Sequence, residues 1–387
     1  MKNYVILRRE AARPVGTRKI GIESLGAGNG VPTLSVERVP DHAFAELIAD
    51  PKVQLVTPTM PTRLIQPLSS KNANPAINWG ISAVKADQSR YTGAGVVVAI
   101  LDTGIDRTHA AFTGVDLVEK DFSGHGNGDL QGHGTHCAGT IFGRDVEGQR
   151  IGVARGIQRA LIGKVLGDDG SGESDMVFEA LNWAMREKAD IISMSLGFDF
   201  PGMVVSLTSE GWPVDLATST ALEAYRGNLR MFDAIMGVLK AQSAFGVSPL
   251  VIAAAGNESR RDINQEYRIA ASLPAAADDV ISVAAIGHTN EYYNVANFSN
   301  SQALVAAPGV DITSAWLGGG LHSISGTSMA CPHVAGIAAL WWESLRSSGS
   351  KPNAKNVTAR LLANARKNVF AEGVSEADVG QGIVTAP

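Results

Sequence analysis

The feature that most constrains the fold is a series of short apolar runs that alternate with helical patterns from Gly95 onward. Strands that are apolar at nearly every position are typical of sheets covered by helices on both faces. Five such runs, each ending in Gly, Asp or Asn, are VVVAILD (96–102), LIGKVLG (161–167), DIISMSLG (190–197), PLVIAAAGN (249–257) and VISVAAIG (280–287). The series predicts a three-layer α/β fold with a parallel sheet between two layers of helices.

Two segments between these runs have the spacing of amphipathic helices. DMVFEALNWAMREKA places Phe178, Leu181 and Met185 on one face. MFDAIMGVLKAQSAFG repeats the pattern with Phe232 and Ile235. Spacings of three and four residues suit crossover helices that pack one face against a sheet.

The beginning of the chain has a different pattern, typical of a small α+β domain. YVILR (4–8), TLSVERV (33–39) and VQLVTP (53–58) predict strands, and Asp41 predicts the cap of a short helix. The Pro-, Ser- and Asn-bearing stretch QPLSSKNANP that follows is typical of an exposed linker, which is a preferred site of proteolytic cleavage.

Composition and charge exclude some classes of partner. The net charge of −5 comes without a basic block, so the electrostatic footprint of a nucleic-acid binder is missing. The four apolar residues YVIL are too few for a signal-peptide core, and no run approaches the roughly 18 apolar residues of a membrane span. We expect no nucleic-acid or membrane partner. The location is cytoplasmic as the sequence is written, or secreted if a signal peptide was removed.

Three short segments carry the residue types of a catalytic triad. AILDTGID places Asp102 at the end of the first apolar run, and GHGTHCAGT places His133 at a glycine-rich turn. GTSMACPHVAG places Ser328 at the exposed tip of an apolar helix, beside partially positive backbone N–H groups. A serine hydroxyl becomes a nucleophile when an imidazole accepts its proton, and the imidazole needs a carboxylate on its other nitrogen. The three residues together predict a nucleophilic hydrolase.

These segments, in the order Asp, His, Ser, resemble subtilisin-family serine proteases. The resemblance runs from about Trp79 to the C-terminus. It implies a serine endopeptidase that cleaves peptide bonds through an acyl-enzyme, with Ser328 as nucleophile, His133 as proton shuttle and Asp102 as the group that orients His133. It implies no cofactor for catalysis. Structural calcium is possible, although no loop has the ligand spacing of an EF-hand.

The same resemblance implies the residues that surround a substrate. Asn257 in AAAGN resembles the side-chain donor of the oxyanion hole, with the backbone N–H of Ser328 as the second donor. Residues similar to the substrate-binding segments and the primary specificity pocket of the family are Gly170, Ser171, Gly172, Ser195, Leu196, Gly197, Ala255 and Gly256.

The N-terminal unit resembles the propeptide of this family, which acts as a folding chaperone and inhibitor. We predict a propeptide-like domain over 1–68, a linker over 69–78 and a catalytic domain over 79–387. The last strand of the first domain and the tail after it would lie in the cleft like a product. The chain would thus be made as a self-inhibited precursor, a zymogen, that cleaves itself in the linker. Residues 11–30 lack the clear helix expected after the first strand.

An insertion over about 198–229 accounts for the long interval between His133 and Ser328. Because it leaves directly from a substrate-binding strand, it predicts either a lid over the cleft, with Trp212 as a contact, or an inert surface excursion.

Two other kinds of protein remain open at this point. His133 and His136, helped by Asp121 and Asp129, have the residue types for a metallohydrolase. A non-catalytic binding protein on a protease scaffold is the other alternative. Cys137 and Cys331, the two cysteines, are expected to be buried small residues rather than nucleophiles, although thiols beside an active site confer sensitivity to mercurials or oxidation.

Overall fold

The computed structural model describes residues 2–9, 33–69, 78–242, 248–289 and 291–387. The predictions for residues 11–30 and for most of the linker lie outside these ranges. The strands are β1 (Lys2–Arg8), β2 (Thr33–Val39), β3 (Val53–Pro58), β4 (Pro61–Leu64), β5 (Leu68–Ser69), β6 (Val97–Asp102), β7 (Asp116–Asp121), β8 (Arg159–Lys164), β9 (Ser171–Glu173), β10 (Ile191–Met194), β11 (Leu196–Phe198), β12 (Leu250–Ala254), β13 (Ile281–His288), β14 (Tyr293–Val295), β15 (Val305–Pro308), β16 (Ile312–Ala315) and β17 (Leu321–Ser325).

Helices surround the strands. They are α1 (Phe44–Ala49), α2 (Trp79–Ala83), α3 (His133–Phe142), α4 (Ser174–Arg186), α5 (Phe200–Ser209), α6 (Val214–Gln242), α7 (Thr327–Ser347), α8 (Ala354–Ala363) and α9 (Glu376–Val379). Within the described ranges, no helix combines the length and the apolarity needed to cross a lipid bilayer.

The central sheet has the order β14-β13-β12-β10-β6-β8-β7 across the described residues, with β15 beside β13. Its pairs are parallel except for β14, which runs antiparallel to β13. Alternate residues of each strand point to opposite faces, so Val98 and Ile100 of β6 join one apolar core while Ala99 and Leu101 join another. Helices α3 and α7 contribute to the first core, and α4 and α6 to the second.

The N-terminal unit is a small antiparallel sheet in the order β2-β1-β3, with α1 beside it. Buried Leu7 of β1 belongs to the same apolar core as Phe178 of α4 and Phe232 of α6. The unit is therefore docked on the second layer of helices. Asp41 was expected to cap α1, but it begins a 3-10 turn and the position that precedes α1 is Ala43, because the chain enters this helix through that tighter turn.

The insertion after β11 folds into α5 and the N-terminal half of α6. Asn228 of α6 donates from Nδ2 to Pro58 O of β3 at 2.9 Å, and a Cβ built at Gly227 would lie 2.3 Å from Thr57 Oγ1. These close contacts show that the insertion forms part of the face on which the N-terminal unit sits. Trp212, the residue expected to contact the cleft, is 40% exposed.

Candidate active site

Asp102 and His133 form a buried pair at the carboxyl end of β6. Asp102 Oδ1 lies 2.8 Å from His133 Nδ1 and also accepts the N–H of Thr103 at 2.8 Å. His133 begins α3 directly after Gly132, whose φ is +98° and whose added Cβ would lie 2.8 Å from the Trp316 ring. Only glycine fits this turn without strain, so the turn and the strand end together fix both side chains.

The carboxylate determines which ring nitrogen of His133 carries the proton. A hydrogen bond from Nδ1–H to Asp102 leaves a lone pair on Nε2. Among the described residues, that buried Nε2 has no hydrogen-bond partner. The lone pair on Nε2 is therefore free to accept a proton from a neighbouring hydroxyl group.

Ser328 is the second residue of α7 and is completely buried. Its hydroxyl lies 3.4 Å from Ile65 O and 3.5 Å from Ser195 O, and no hydrogen bond to His133 is formed. The expectation of an exposed serine is therefore wrong, because the chain near Ile65 lies over the helix tip. The sulfur of Cys137 lies between helices α3 and α7: Cys137 Sγ is 3.8 Å from His133 Nδ1 and 3.4 Å from Ser328 O.

Asn257 places its side-chain amide beside the start of α7, next to Ser328. Its Oδ1 accepts both the backbone N–H and the hydroxyl of Thr327, each at 2.9 Å. This pair of hydrogen bonds turns Nδ2 the other way, where it donates to Gln66 O at 3.0 Å. Thr327 was not among the predicted site residues, although it stands directly before Ser328 in the quoted motif.

The cleft is filled by a strand from the N-terminal unit. Strand β4 is the middle of a three-stranded antiparallel sheet, with β11 on one side and β9 on the other. Arg63 is opposite Gly197 on one edge and Ser171 on the other, and Leu64 N donates to Gly170 O at 2.8 Å. Strand β4 thus pairs with both predicted substrate-binding segments as an added strand between them.

The side chain of Ile65 occupies the predicted specificity pocket. A Cβ built at Gly197 would lie 3.6 Å from Ile65 Cγ1 and 3.7 Å from Ser272 Oγ, so Gly197 lines the pocket beside Ser272. Ala255 belongs to the same apolar core as Ile65, and its carbonyl accepts the N–H of Ser272 at 3.1 Å. Gly256 has a φ of +113°, and a side chain there would meet the amide of Asn300 at 2.3 Å.

Asn300 supports this pocket and was missed in the sequence. Its Nδ2 donates to Ala255 O at 3.1 Å, and its Oδ1 accepts the backbone N–H groups of Glu258 and Ser259, each at 3.1 Å. The asparagine therefore holds the segment next to Asn257 in place. The sequence offered no signal for it beyond a polar turn.

The Ser328 hydroxyl and the Asn257 amide contact two successive carbonyl groups of the segment that follows β4, one each. Ile65 O accepts from Ser328 Oγ, whereas the next carbonyl, Gln66 O, accepts from Asn257 Nδ2. Attack by a hydroxyl and stabilisation of the resulting oxyanion must act on the same carbonyl group. The strand is consequently bound in a register in which neither peptide bond has both contacts.

The residues of the metallohydrolase alternative have other partners. His136 Nε2 lies 3.0 Å from Ile312 O, and burial lowers the pKa of this imidazole to about 3. Asp121 accepts backbone N–H groups of its own loop, and Asp129 accepts those of the turn before His133 and of α3. These contacts leave no converging histidine pair, and the alternative loses its support.

The remaining candidate for a metal consists of Asp102, His133 and Cys137, which is the one converging group of ligand types among the described residues. The structural calcium that the family resemblance allows does not match this group, because a thiol and an imidazole do not fit an ion that prefers a cage of oxygen ligands. Both cysteines are buried and unpaired. Burial raises the pKa of Cys331 to about 11 and that of Cys137 well above its ordinary value. Both thiols thus remain protonated and match the expected structural role.

Comparison with known proteins identifies the class to which this fold and cleft belong. Residues 93–382 match the subtilase family, and the chain belongs to that family. The predicted family and α/β fold are thereby confirmed.

Three relatives illustrate the similarity. Subtilisin-like serine protease Pen ch 13 of Penicillium rubens is 32% identical over 314 residues, which cover 77% of this chain and 66% of the relative. The intracellular serine protease of Paenibacillus polymyxa is 34% identical over 272 residues, 67% of this chain and 71% of the relative. M-protease of Shouchella clausii (strain KSM-K16) is 31% identical over 378 residues, which cover 95% of this chain and 82% of the relative. The chain thus spans about two thirds of the length of the Penicillium relative.

Proposed function

We propose that this chain is a serine endopeptidase that hydrolyses peptide bonds through an acyl-enzyme. The single observation that carries the proposal is the buried Asp102–His133 pair, whose Nε2 has no hydrogen-bond partner among the described residues and whose ring contacts the same Cys137 sulfur as Ser328. A histidine held in this tautomer has a lone pair to accept the serine proton, and the family and the names of the relatives support the same chemistry.

The proposed reaction uses side chains and backbone groups of this chain. Ser328 Oγ attacks the substrate carbonyl carbon while its proton passes to His133 Nε2, and Asp102 stabilises the imidazolium. Asn257 Nδ2 and the Ser328 N–H stabilise the oxyanion. The C–N bond then breaks as His133 returns the proton to the leaving amine. Water repeats the sequence, which releases the acid and restores Ser328.

Replacement of the proposed nucleophile tests this mechanism. We expect Ser328→Ala to abolish hydrolysis of a fluorogenic peptide because no other hydroxyl can form the acyl-enzyme. Ser174→Ala is the matched control, since Ser174 is equally buried but its hydroxyl accepts the backbone N–H of Met60. We expect this variant to retain activity. Activity in folded Ser328→Ala, or its loss in folded Ser174→Ala alone, would refute the assignment.

We further infer that residues 1–68 are an inhibitory propeptide, which the protease itself removes by cleavage in the linker at 69–78. Support comes from β4, which occupies the cleft between β9 and β11, and from the burial of Leu64 and Ile65. The split of the two carbonyl contacts supports inhibition rather than rapid cleavage at Ile65 or Gln66.

N-terminal sequencing during activation tests the precursor. We expect the intact chain to have low activity and a new N-terminus to appear within 69–78 as activity rises. The Ser328→Ala variant should stay at full length. A full-length chain as active as the cleaved form would contradict inhibition. Cleavage of purified Ser328→Ala would contradict self-processing. Failure of the wild-type chain both to cleave itself and to hydrolyse peptides would favour the non-catalytic binding protein.

A further inference from the structure

We propose that Asp199 and Glu258 form an acidic subsite that selects a basic side chain two residues before the residue in the specificity pocket. The proposal rests on the endopeptidase function and names a class of substrate for it. Peptides with arginine or lysine at this position and an aliphatic residue in the pocket are the predicted class.

The bound strand supplies the ligand of this subsite. Arg63 Nη1 lies 3.3 Å from Asp199 Oδ1, and Arg63 Nη2 lies 3.5 Å from Glu258 Oε1. One guanidinium group therefore faces both carboxylates at once. A guanidinium presents several N–H donors in a fixed plane, which suits contacts with two acids on different segments.

The register of the strand assigns the position. Ile65 lies in the pocket, Leu64 is buried, and Arg63 is opposite Gly197 and Ser171 on the two flanking strands. A substrate that replaced β4 between the same strands would place its residues at the same intervals, because successive side chains of a strand alternate in direction. Its residue at the position of Arg63 would then face the acidic subsite.

The main domain fixes each carboxylate without help from Arg63. Asp199 precedes α5, and its Oδ1 accepts the N–H of Gly202 at 2.9 Å. Glu258 Oε2 accepts from Asn300 Nδ2 at 2.7 Å. Because other contacts orient both acids, the subsite persists when another peptide occupies the cleft. Two like charges that face one position favour a cation there over a neutral or acidic group.

Matched peptides test the proposal on the activated protease. The substrates are quenched-fluorescence peptides containing Thr-Xaa-Leu-Ile-Ser-Ser, where Xaa is Arg, Gln or Glu. Each ion pair is partly exposed, so the Arg peptide should exceed the Gln peptide in kcat/KM by about fivefold to tenfold. The Glu peptide should be the poorest. Cleavage after Ile, verified by mass spectrometry, ensures that Xaa occupies the intended position.

The double variant Asp199→Asn with Glu258→Gln should bring the ratio of kcat/KM for the Arg peptide to that for the Gln peptide near 1. Glu266→Gln is the control, since this exposed acid pairs with Arg268. Equal hydrolysis of the Arg and Gln peptides by wild type, or an unchanged ratio in the double variant, would overturn the subsite. Absence of all hydrolysis would instead contradict the endopeptidase function.

A second measurement tests the subsite without activity. In full-length Ser328→Ala protein, the double variant should lower hydrogen-exchange protection of the β4 amide groups by about fivefold to tenfold, because the strand loses both ion pairs. Unchanged protection at Leu64 would contradict the contribution of Asp199 and Glu258 to binding of the basic residue. The control Glu266→Gln should leave the same amides unaffected.

Discussion

Removal of the charge of Glu173 should stabilise the full-length protein in a pH-dependent way. Glu173 ends β9 and is opposite Pro61 of the strand in the cleft. Burial, followed by the nearby carboxylate of Asp175, raises the pKa of Glu173 from 4.5 to about 7. The folded protein thus holds a proton on this side chain at pH values where the unfolded chain has lost it.

The sign and size of the effect follow from this difference. Below pH 4.5 the carboxyl group is protonated in both states and costs nothing. As pH rises from 4.5 to 7, the unfolded chain ionises first, so the free energy of unfolding decreases; above pH 7 the penalty is constant. The difference between a pKa of 4.5 and one of about 7 corresponds to roughly 3 kcal/mol. Solvent screening of this partly exposed group reduces the expected effect to roughly 1–2 kcal/mol.

Urea unfolding followed by circular dichroism measures this difference. The Ser328→Ala background prevents self-cleavage, and Glu173→Gln is compared with its parent at pH 4 and pH 8. We expect equal stability at pH 4 and an advantage of roughly 1–2 kcal/mol for the Gln variant at pH 8. The contributions of the other titrating groups to stability are the same in the variant and its parent, so they cancel in the difference between the two. A difference that is the same at both pH values, or that favours Glu at pH 8, would refute the reasoning.

Two further predictions concern His136 and Asn257. Burial lowers the pKa of His136 to about 3. Between pH 6.5 and 4 the unfolded chain therefore binds a proton on this imidazole and the folded chain does not, so the free energy of unfolding should fall by roughly 3 kcal/mol as the pH is lowered over this range. The variant His136→Asn should flatten that part of a urea-unfolding pH profile, and an equally steep profile would contradict the assignment. Asn257→Ala should lower kcat about 10²- to 10³-fold, a magnitude known from subtilisin itself rather than derived from this structure. A loss below tenfold in steady-state kinetics would contradict its role.

The sheet was predictable because its strands are buried on both faces and read as continuous apolar runs. The long helix α6 was only half predictable. From Met231 onward it has large apolar residues at helical spacing, but its first half buries Ala217, Ala221 and Ala224. Small residues such as alanine produce a weak hydrophobic pattern, so the sequence indicates an insertion over this half but does not reveal its helix.

The candidate site shows a similar division. Motifs with fixed spacing located Asp102, His133 and Ser328, because each lies where a strand, a turn or a helix ends. The burial of Ser328 was not predictable, since it depends on Ile65, which is 263 positions away in the chain. The pairing of Arg63 with Asp199 and Glu258 depends on strand register in the same way, and no local pattern encodes it.

Labelling with a serine-directed fluorophosphonate tests the central claim most directly. The reagent is added to an activated preparation with measured peptidase activity, and peptide mapping locates the adduct. We predict one adduct, on Ser328, that forms in proportion to the loss of activity. Loss of activity with the adduct on Ser174 or another residue, or full activity after treatment with no adduct, would contradict the account.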